Sequence, residues 1–288
     1  MRSDSLSDVP AARPALCQRS EVFADEMRVP LVLDAAMGTR LLERGLNLGS
    51  DDPSLWNLHR PEEVADVHRR DVDAGAGAIL TNTFGANRIW LDRFGSRDHV
   101  VEINRAATRI ARSAAGEARL VFGDVGPSAG IELFAVLEQV AALVDAGVDA
   151  LLFETFRASE ALPVIRAITA KGTIRVPILV SLWEWPDPPG PVARSLVDAG
   201  ASVIGMNCRR GIGEALRFAN RLAGELDLPL LVKPSAGVPA NDDESPEGFA
   251  ALVPELFARN VRFFGGCCGT TEQHTKALAL ACCGALAH

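Results

Sequence analysis

Val261-Arg262-Phe263-Phe264-Gly265-Gly266-Cys267-Cys268-Gly269-Thr270 is an apolar run that ends abruptly in glycines and two adjacent cysteines. A short, partly β-branched or aromatic run bounded by glycine reads as a buried parallel strand followed by a tight loop. The same grammar recurs upstream at Leu31–Leu33, Ala78–Leu80, Leu120–Phe122, Ala150–Phe153, Ile178–Ser181, Ser202–Met206 and Pro229–Val232. Between these runs lie helical patterns at Glu62–Ala74, Glu132–Ala146, Ser159–Ala170, Pro191–Ala199, Gly213–Ala223, Pro246–Ala258 and Thr271–Leu280. Asp73-Ala74-Gly75, Asp145-Ala146-Gly147 and Asp198-Ala199-Gly200 each place a glycine where a helix ends and the next strand begins.

Eight strand–helix units predict an α/β fold of the (β/α)8 TIM-barrel type as a single domain, at about 25–30 residues per unit. The first two units are longer, so their loops are expected to add cover over one face. The domain is predicted over residues 29–288, with 1–28 as an N-terminal tail or arm lacking sustained periodicity. A doubly wound open sheet is the alternative. It calls for a glycine-rich turn after an early strand, and Gly75-Ala76-Gly77-Ala78 precedes its strand.

Polar residues support the barrel. Asp34, Thr81-Asn82-Thr83, Asp124, Glu154-Thr155, Asn207-Cys208, Lys233-Pro234-Ser235 and Cys267-Cys268 follow seven of the eight runs. In a barrel all strand exits converge on one face, where active sites sit.

The composition narrows the function. The chain has 288 residues, 48% of them hydrophobic, and a formal charge of −8. An acidic balance disfavours nucleic acid and anionic membranes as partners, since both reward clustered Lys and Arg. No run reaches the ~20 apolar residues of a membrane span, and no signal peptide is visible, so a cytoplasmic location is expected. Six cysteines in a chain this long do not form a secreted disulfide scaffold.

Cys208, Cys267 and Cys268 stand at strand exits and can supply three sulfurs to one zinc ion. Zinc is tetrahedral, so three protein ligands leave a position open for substrate. The alternative is that they are small packing residues, the reading given to Cys17 and to Cys282-Cys283 in a terminal helix. Asp34 and Glu154 suit a cationic substrate group such as an ammonium, or serve as caps and loop braces. Asn82 and Thr83 could add neutral contacts or brace their own loop. Asp124 is read as a loop organiser. Lys233 is read as a carboxylate contact or a structural ion pair. Trp183 and Trp185 either face a cationic donor or form a hydrophobic lid. His68, in a cobalamin-like Asp-x-His phrase, is set aside because Asp71 stands where a glycine is needed and the segment is helical. His274 is read as a surface residue.

These phrases together resemble the homocysteine-binding, zinc-dependent S-methyltransferase family, which includes the homocysteine domain of cobalamin-dependent methionine synthase and betaine–homocysteine methyltransferase. The matching stretches are Asp34-Ala35-Ala36-Met37-Gly38-Thr39, Thr81-Asn82-Thr83-Phe84-Gly85, Gly123-Asp124-Val125-Gly126-Pro127, Glu154-Thr155, Gly205-Met206-Asn207-Cys208, Lys233-Pro234-Ser235-Ala236-Gly237 and Gly265 through Thr270. The Asn-Cys and Gly-Gly-Cys-Cys phrases are the specific ones. The resemblance implies zinc (Zn2+) held by Cys208, Cys267 and Cys268, with the homocysteine thiolate at the metal. It also implies the homocysteine ammonium at Asp34 and Glu154, with Asn82 and Thr83 nearby, and methionine as product.

Ala35 and Ser235 stand where family members often carry glycine and asparagine, and residues 183–190 form a shorter, proline-rich segment. The chain ends soon after the last barrel helix, so no folate or cobalamin module is expected to follow. The methyl donor is therefore a small sulfonium or ammonium compound, or a separate corrinoid protein. Two alternatives carry other functions: a metal-binding or redox-sensing barrel without catalysis, and a methyltransferase acting on a different thiol.

Overall fold

In a computed structural model of the chain, residues 29–128, 132–170, 172, 174–237 and 244–286 are described. The expected tail, with Cys17, lies outside them. All eight apolar runs form strands: β1 Leu31–Val32, β2 Ala78–Leu80, β3 Leu120–Val125, β4 Ala150–Phe156, β5 Ile178–Leu182, β6 Val203–Arg210, β7 Leu230–Ser235 and β8 Val261–Phe264. They make one sheet in the order β1-β8-β7-β6-β5-β4-β3-β2, parallel throughout. At the seam between β1 and β2, Gly77 N–H donates to Val32 O at 2.8 Å, and Leu80 N–H to Asp34 Oδ2 at 2.9 Å. This is a (β/α)8 barrel.

Side chains alternate across each strand, and two apolar clusters divide accordingly. One fills the barrel with Leu31, Leu33, Leu80, Phe122, Leu152, Leu179, Leu231 and Phe263. The other, with Ile79, Val121, Leu151, Val180, Ile204 and Val232, packs outward against the helices.

The helices, in chain order, begin with α1 Met37–Glu43, α2 Trp56–His59, α3 Pro61–Asp73, α4 Arg88–Asp92, α5 Val100–Ala115 and α6 Leu133–Ala146. They continue with α7 Ala158–Ala170, α8 Gly190–Asp198, α9 Ile212–Leu222, α10 Pro246–Ala250, α11 Val253–Phe257 and α12 Glu272–Ala285. Gly75, Gly147 and Gly200, at the expected helix ends, have φ of +106°, +91° and +110°, a region costly for residues with a Cβ.

The segment expected as a single helix over Pro246–Ala258 is broken into α10 and α11. Pro254 has no N–H for the Ala250 carbonyl and is accommodated in the first turn of α11 instead. The sequence shows no clear helical pattern between β2 and β3, where α5 supplies 16 residues. Its buried face is largely alanine (Ala106, Ala107, Ala111, Ala115) around Ile103, so the apolar stripe is weak beside Arg105, Arg109 and Arg112. No side chain caps its start.

The two long early connections are cover, as expected. The first buries Trp56 with Leu41, Leu46, Val64 and Val67, and Asp52 in it accepts the Trp90 indole N–H from the second. No helix among the described residues is long and apolar enough to cross a membrane.

Candidate functional site

Strand alternation decides which polar residues enter the barrel mouth. Two positions beyond the interior residues Leu80, Phe122, Leu152, Leu179 and Leu231 stand Asn82, Asp124, Glu154, Ser181 and Lys233. Two steps beyond Val203 and Phe263 come Gly205 and Gly265, and two further Asn207 and Cys267.

Two bulges re-aim this ring. The β4–β5 register slips between Glu154 and Phe156, and the β6–β7 register slips between Asn207 and Arg210. Thr155 and Cys208 sit at the slips with φ of +68° and +57°. Such backbone costs on the order of 1–3 kcal/mol per residue and persists where neighbours enforce it. Asn207 is the enforcer. Its Oδ1 accepts Thr155 N–H at 3.0 Å and the Ser181 hydroxyl at 2.9 Å. Its Nδ2 donates to Thr155 Oγ1 at 2.6 Å.

The cysteine loop is held by its backbone. Gly266 N–H donates to Asp34 O at 3.1 Å and Cys267 N–H to Pro234 O at 2.9 Å. Ala236 N–H reaches Cys268 O at 3.0 Å, and the Thr270 hydroxyl donates to Cys267 O at 2.7 Å. A Cβ on Gly269 (φ +80°) would lie 2.1 Å from Gly237 O. The glycines are therefore a requirement of this loop.

Cys208 Sγ lies 2.8 Å from Cys267 Sγ and 4.0 Å from Cys268 Sγ, and all three sulfurs fall within 4.8 Å of one another. A tetrahedral zinc with Zn–S near 2.3 Å separates its sulfurs by roughly 3.8 Å; the 4.0 Å pair matches that span, and the 2.8 Å pair must open to take the ion. The thiols are free, with Cys208 and Cys267 half-buried and Cys268 exposed at the mouth. Donation from the Cys208 and Cys267 thiols brings the Cys268 pKa down to about 3, while the same contacts push Cys208 up.

Beside it, Lys233 Nζ is 2.6 Å from Glu154 Oε2, both groups buried. Burial raises Glu154, opposed by Lys233. Asp34 is pushed up to about 7 by burial, again opposed by Lys233. Burial works against the Lys233 charge, yet Glu154, Asp34 and Asp124 together hold its ammonium above the usual range. Burial, then Glu154, raises Asp124 well above an ordinary carboxylate.

Behind Asp34, the buried pair Arg40–Asp71 at 2.6 Å clamps the loop through Ala35 O and N–H. His68 is fully buried there and neutral, its pKa lowered to about 3 by burial and Arg40.

Asn82 and Thr83 are buried in the same wall, with their polar groups engaged by the scaffold. Asn82 Nδ2 donates to Pro53 O at 2.6 Å, and the Thr83 hydroxyl to Asp124 O at 2.7 Å. Trp185 donates to Gly205 O at 2.9 Å and packs on Phe218 at 5.2 Å, which makes it part of the wall. The Trp183 ring carries the Arg157 guanidinium 5.3 Å from its centroid.

His274 is not the expected surface residue. It is buried edge-on against Phe249, with Nδ1 accepting Thr271 N–H at 3.1 Å and Nε2 facing Glu244 O at 3.0 Å. Cys282 is buried as packing, whereas Cys283 is exposed. Asn207 and Asp124 are polar strand exits in the sequence; the bracing role of Asn207 and the inward aim of Asp124 come from the structure, and strand alternation from Val203 and Phe122 carries their signal.

A sequence model of the family described as homocysteine S-methyltransferase matches residues 31–282. The methionine synthase of Mycobacterium leprae is 29% identical over 296 residues, covering 87% of this chain and 24% of that protein. The methionine synthase of Mycobacterium tuberculosis is 28% identical over 302 residues with the same coverage, 87% and 24%. The chain thus spans about a quarter of the length of these curated relatives. Among solved structures, the metallated homocysteine methyltransferase MmuM from Escherichia coli superposes with a TM-score of 0.76 at 26% identity, covering 91% of this chain and 99% of that one. Its apo form gives 0.70 at 26% identity, covering 88% and 95%.

Proposed function

We propose, because the chain belongs to the homocysteine S-methyltransferase family, that it is a zinc-dependent enzyme moving a methyl group from an activated donor to homocysteine, giving methionine. One observation carries the reading: three sulfurs within 4.8 Å of one another open to the barrel mouth, beside a buried set of carboxylates. Zinc held by Cys208, Cys267 and Cys268 would supply a Lewis acid that keeps the incoming thiol deprotonated at neutral pH.

The chain's own groups do the rest. Asp34 and Glu154 receive the homocysteine ammonium through charge-assisted hydrogen bonds, while Lys233 keeps Glu154 ionised. Asn82 and Thr83 form the strand-two wall of the pocket. With the thiol proton released to solvent before transfer, no general base among these residues would be needed. The sulfur pair forms the new S–CH3 bond as the donor's bond to that methyl breaks and its electron pair leaves with the donor. The donor is a small sulfonium or ammonium compound, or a methylated corrinoid on a separate protein. Free thiols at the site suit a reducing compartment, and the cytoplasm is the location we assign.

The test offers zinc-loaded protein and homocysteine each of S-methylmethionine, S-adenosylmethionine, betaine and methylcobalamin, with methionine measured. Product from one of them supports the reading and names the donor. No product from any of these or from a methylated corrinoid protein, with homocysteine bound, counts against it.

A further inference from the structure

Among the carboxylates at this mouth, Asp124 alone has an oxygen that is buried and idle. The residue is 7% exposed, and its Oδ1 has no hydrogen-bond partner among the described residues. Its backbone is fixed on both sides: Asp124 N–H donates to Thr81 Oγ1 at 3.0 Å, and Asp124 O accepts the Thr83 hydroxyl at 2.7 Å. The strand step places the side chain on the inner face, where it feels the charges of Glu154, Lys233, Asp34 and Cys267. A loop organiser would have its carboxylate oxygens bound to the loop. Folded proteins leave few buried acceptors without a donor, and this one lies among the buried polar groups of the barrel mouth.

The neighbouring carboxylates are each engaged once, Asp34 Oδ2 by Leu80 N–H at 2.9 Å and Glu154 Oε2 by Lys233 at 2.6 Å. Three acids then face one lysine, and burial destabilises the charge of each, so a cation with several donors would supply the partners they lack. A primary ammonium has three.

We infer that Asp124 is a third substrate-contacting carboxylate, whose free oxygen binds the ammonium of an amino-acid thiol and sets the preference for that class over thiols lacking the amine. The inference rests on the homocysteine reading of the site. It makes Asp124 a specificity residue, since it reaches the ammonium and not the sulfur.

The experiment compares zinc-loaded wild type with Asp124→Asn by calorimetry, using L-homocysteine and its deamino analogue 4-mercaptobutanoate, with zinc content checked in both proteins. The substitution should weaken homocysteine by about ten- to a hundredfold and change 4-mercaptobutanoate by less than about twofold, so that the preference collapses. Equal weakening of both thiols, or no change in either, overturns the Asp124 assignment and leaves the homocysteine reading standing. A wild type that binds neither thiol overturns both. Should the asparagine variant fold poorly, Asp124→Ser, which is smaller, gives the same two readings.

Discussion

Lys233 and Glu154 meet across the barrel mouth, Nζ to Oε2 at 2.6 Å, from the exits of β7 and β4 and with both side chains buried. The pair couples fold to site. Lys233 opposes the burial that raises the Glu154 pKa, and a charged Glu154 is what the proposed contact with a substrate ammonium requires.

Removing one partner should therefore harm more than removing both. Lys233→Met leaves an unpaired buried carboxylate and is expected to cost about 3–5 kcal/mol in denaturant unfolding. Combining it with Glu154→Gln should recover much of that stability without restoring homocysteine binding. A double variant no more stable than the single one would contradict the pairing argument.

Asn207 touches no sulfur, yet it holds Thr155 beside Glu154 and immediately precedes Cys208. Asn207→Ala should lower stability by about 1–3 kcal/mol, the cost of losing buried hydrogen bonds, and weaken zinc retention in a chelator competition. Ser181→Ala, which removes one of these bonds, should have a smaller effect on both readouts. Unchanged zinc retention in Asn207→Ala would refute the positioning role.

Gly269→Ala tests the cysteine loop. The added methyl would meet Gly237 O at 2.1 Å on a backbone with φ +80°. The loop must move, so zinc should be lost while the barrel's far-ultraviolet dichroism persists. Full zinc occupancy in this variant would contradict the steric requirement for glycine at this position.

Asp34 gives a pH signature in the metal-free protein. Its folded pKa of about 7 lies above the ordinary aspartate value of 3.8, so the folded state holds its proton more tightly. That contribution is complete below about pH 4 and is lost as pH rises through about 7. Its ceiling is about 4 kcal/mol. Wild type should lose stability over this window relative to Asp34→Asn, which does not titrate. Parallel pH profiles would show that burial does not hold the proton.

The barrel was legible because buried parallel strands leave short apolar runs, and the glycine helix ends punctuate them. The cysteine trio was legible because glycines flanking two sulfurs have few other uses. What escaped depended on contacts between distant segments. The α5 face is built from alanines that become apolar only against their neighbours, and the α10–α11 break turns on one proline. His274 looked external by its place in a first helical turn, yet Glu244 and Phe249 close over it. Asp124 reads as a loop brace in the sequence; in the structure Thr81 and Thr83 bind its backbone, and its Oδ1 has no partner among the described residues.

Everything functional in this account depends on one ion gripped by sulfurs from β6 and from the loop after β8, with room left for the substrate's own sulfur. Zinc-edge X-ray absorption on the loaded protein reads this directly. Three sulfurs near about 2.3 Å are predicted without substrate, and four after homocysteine is added. A shell of nitrogen and oxygen, or a sulfur count unmoved by homocysteine, would contradict it.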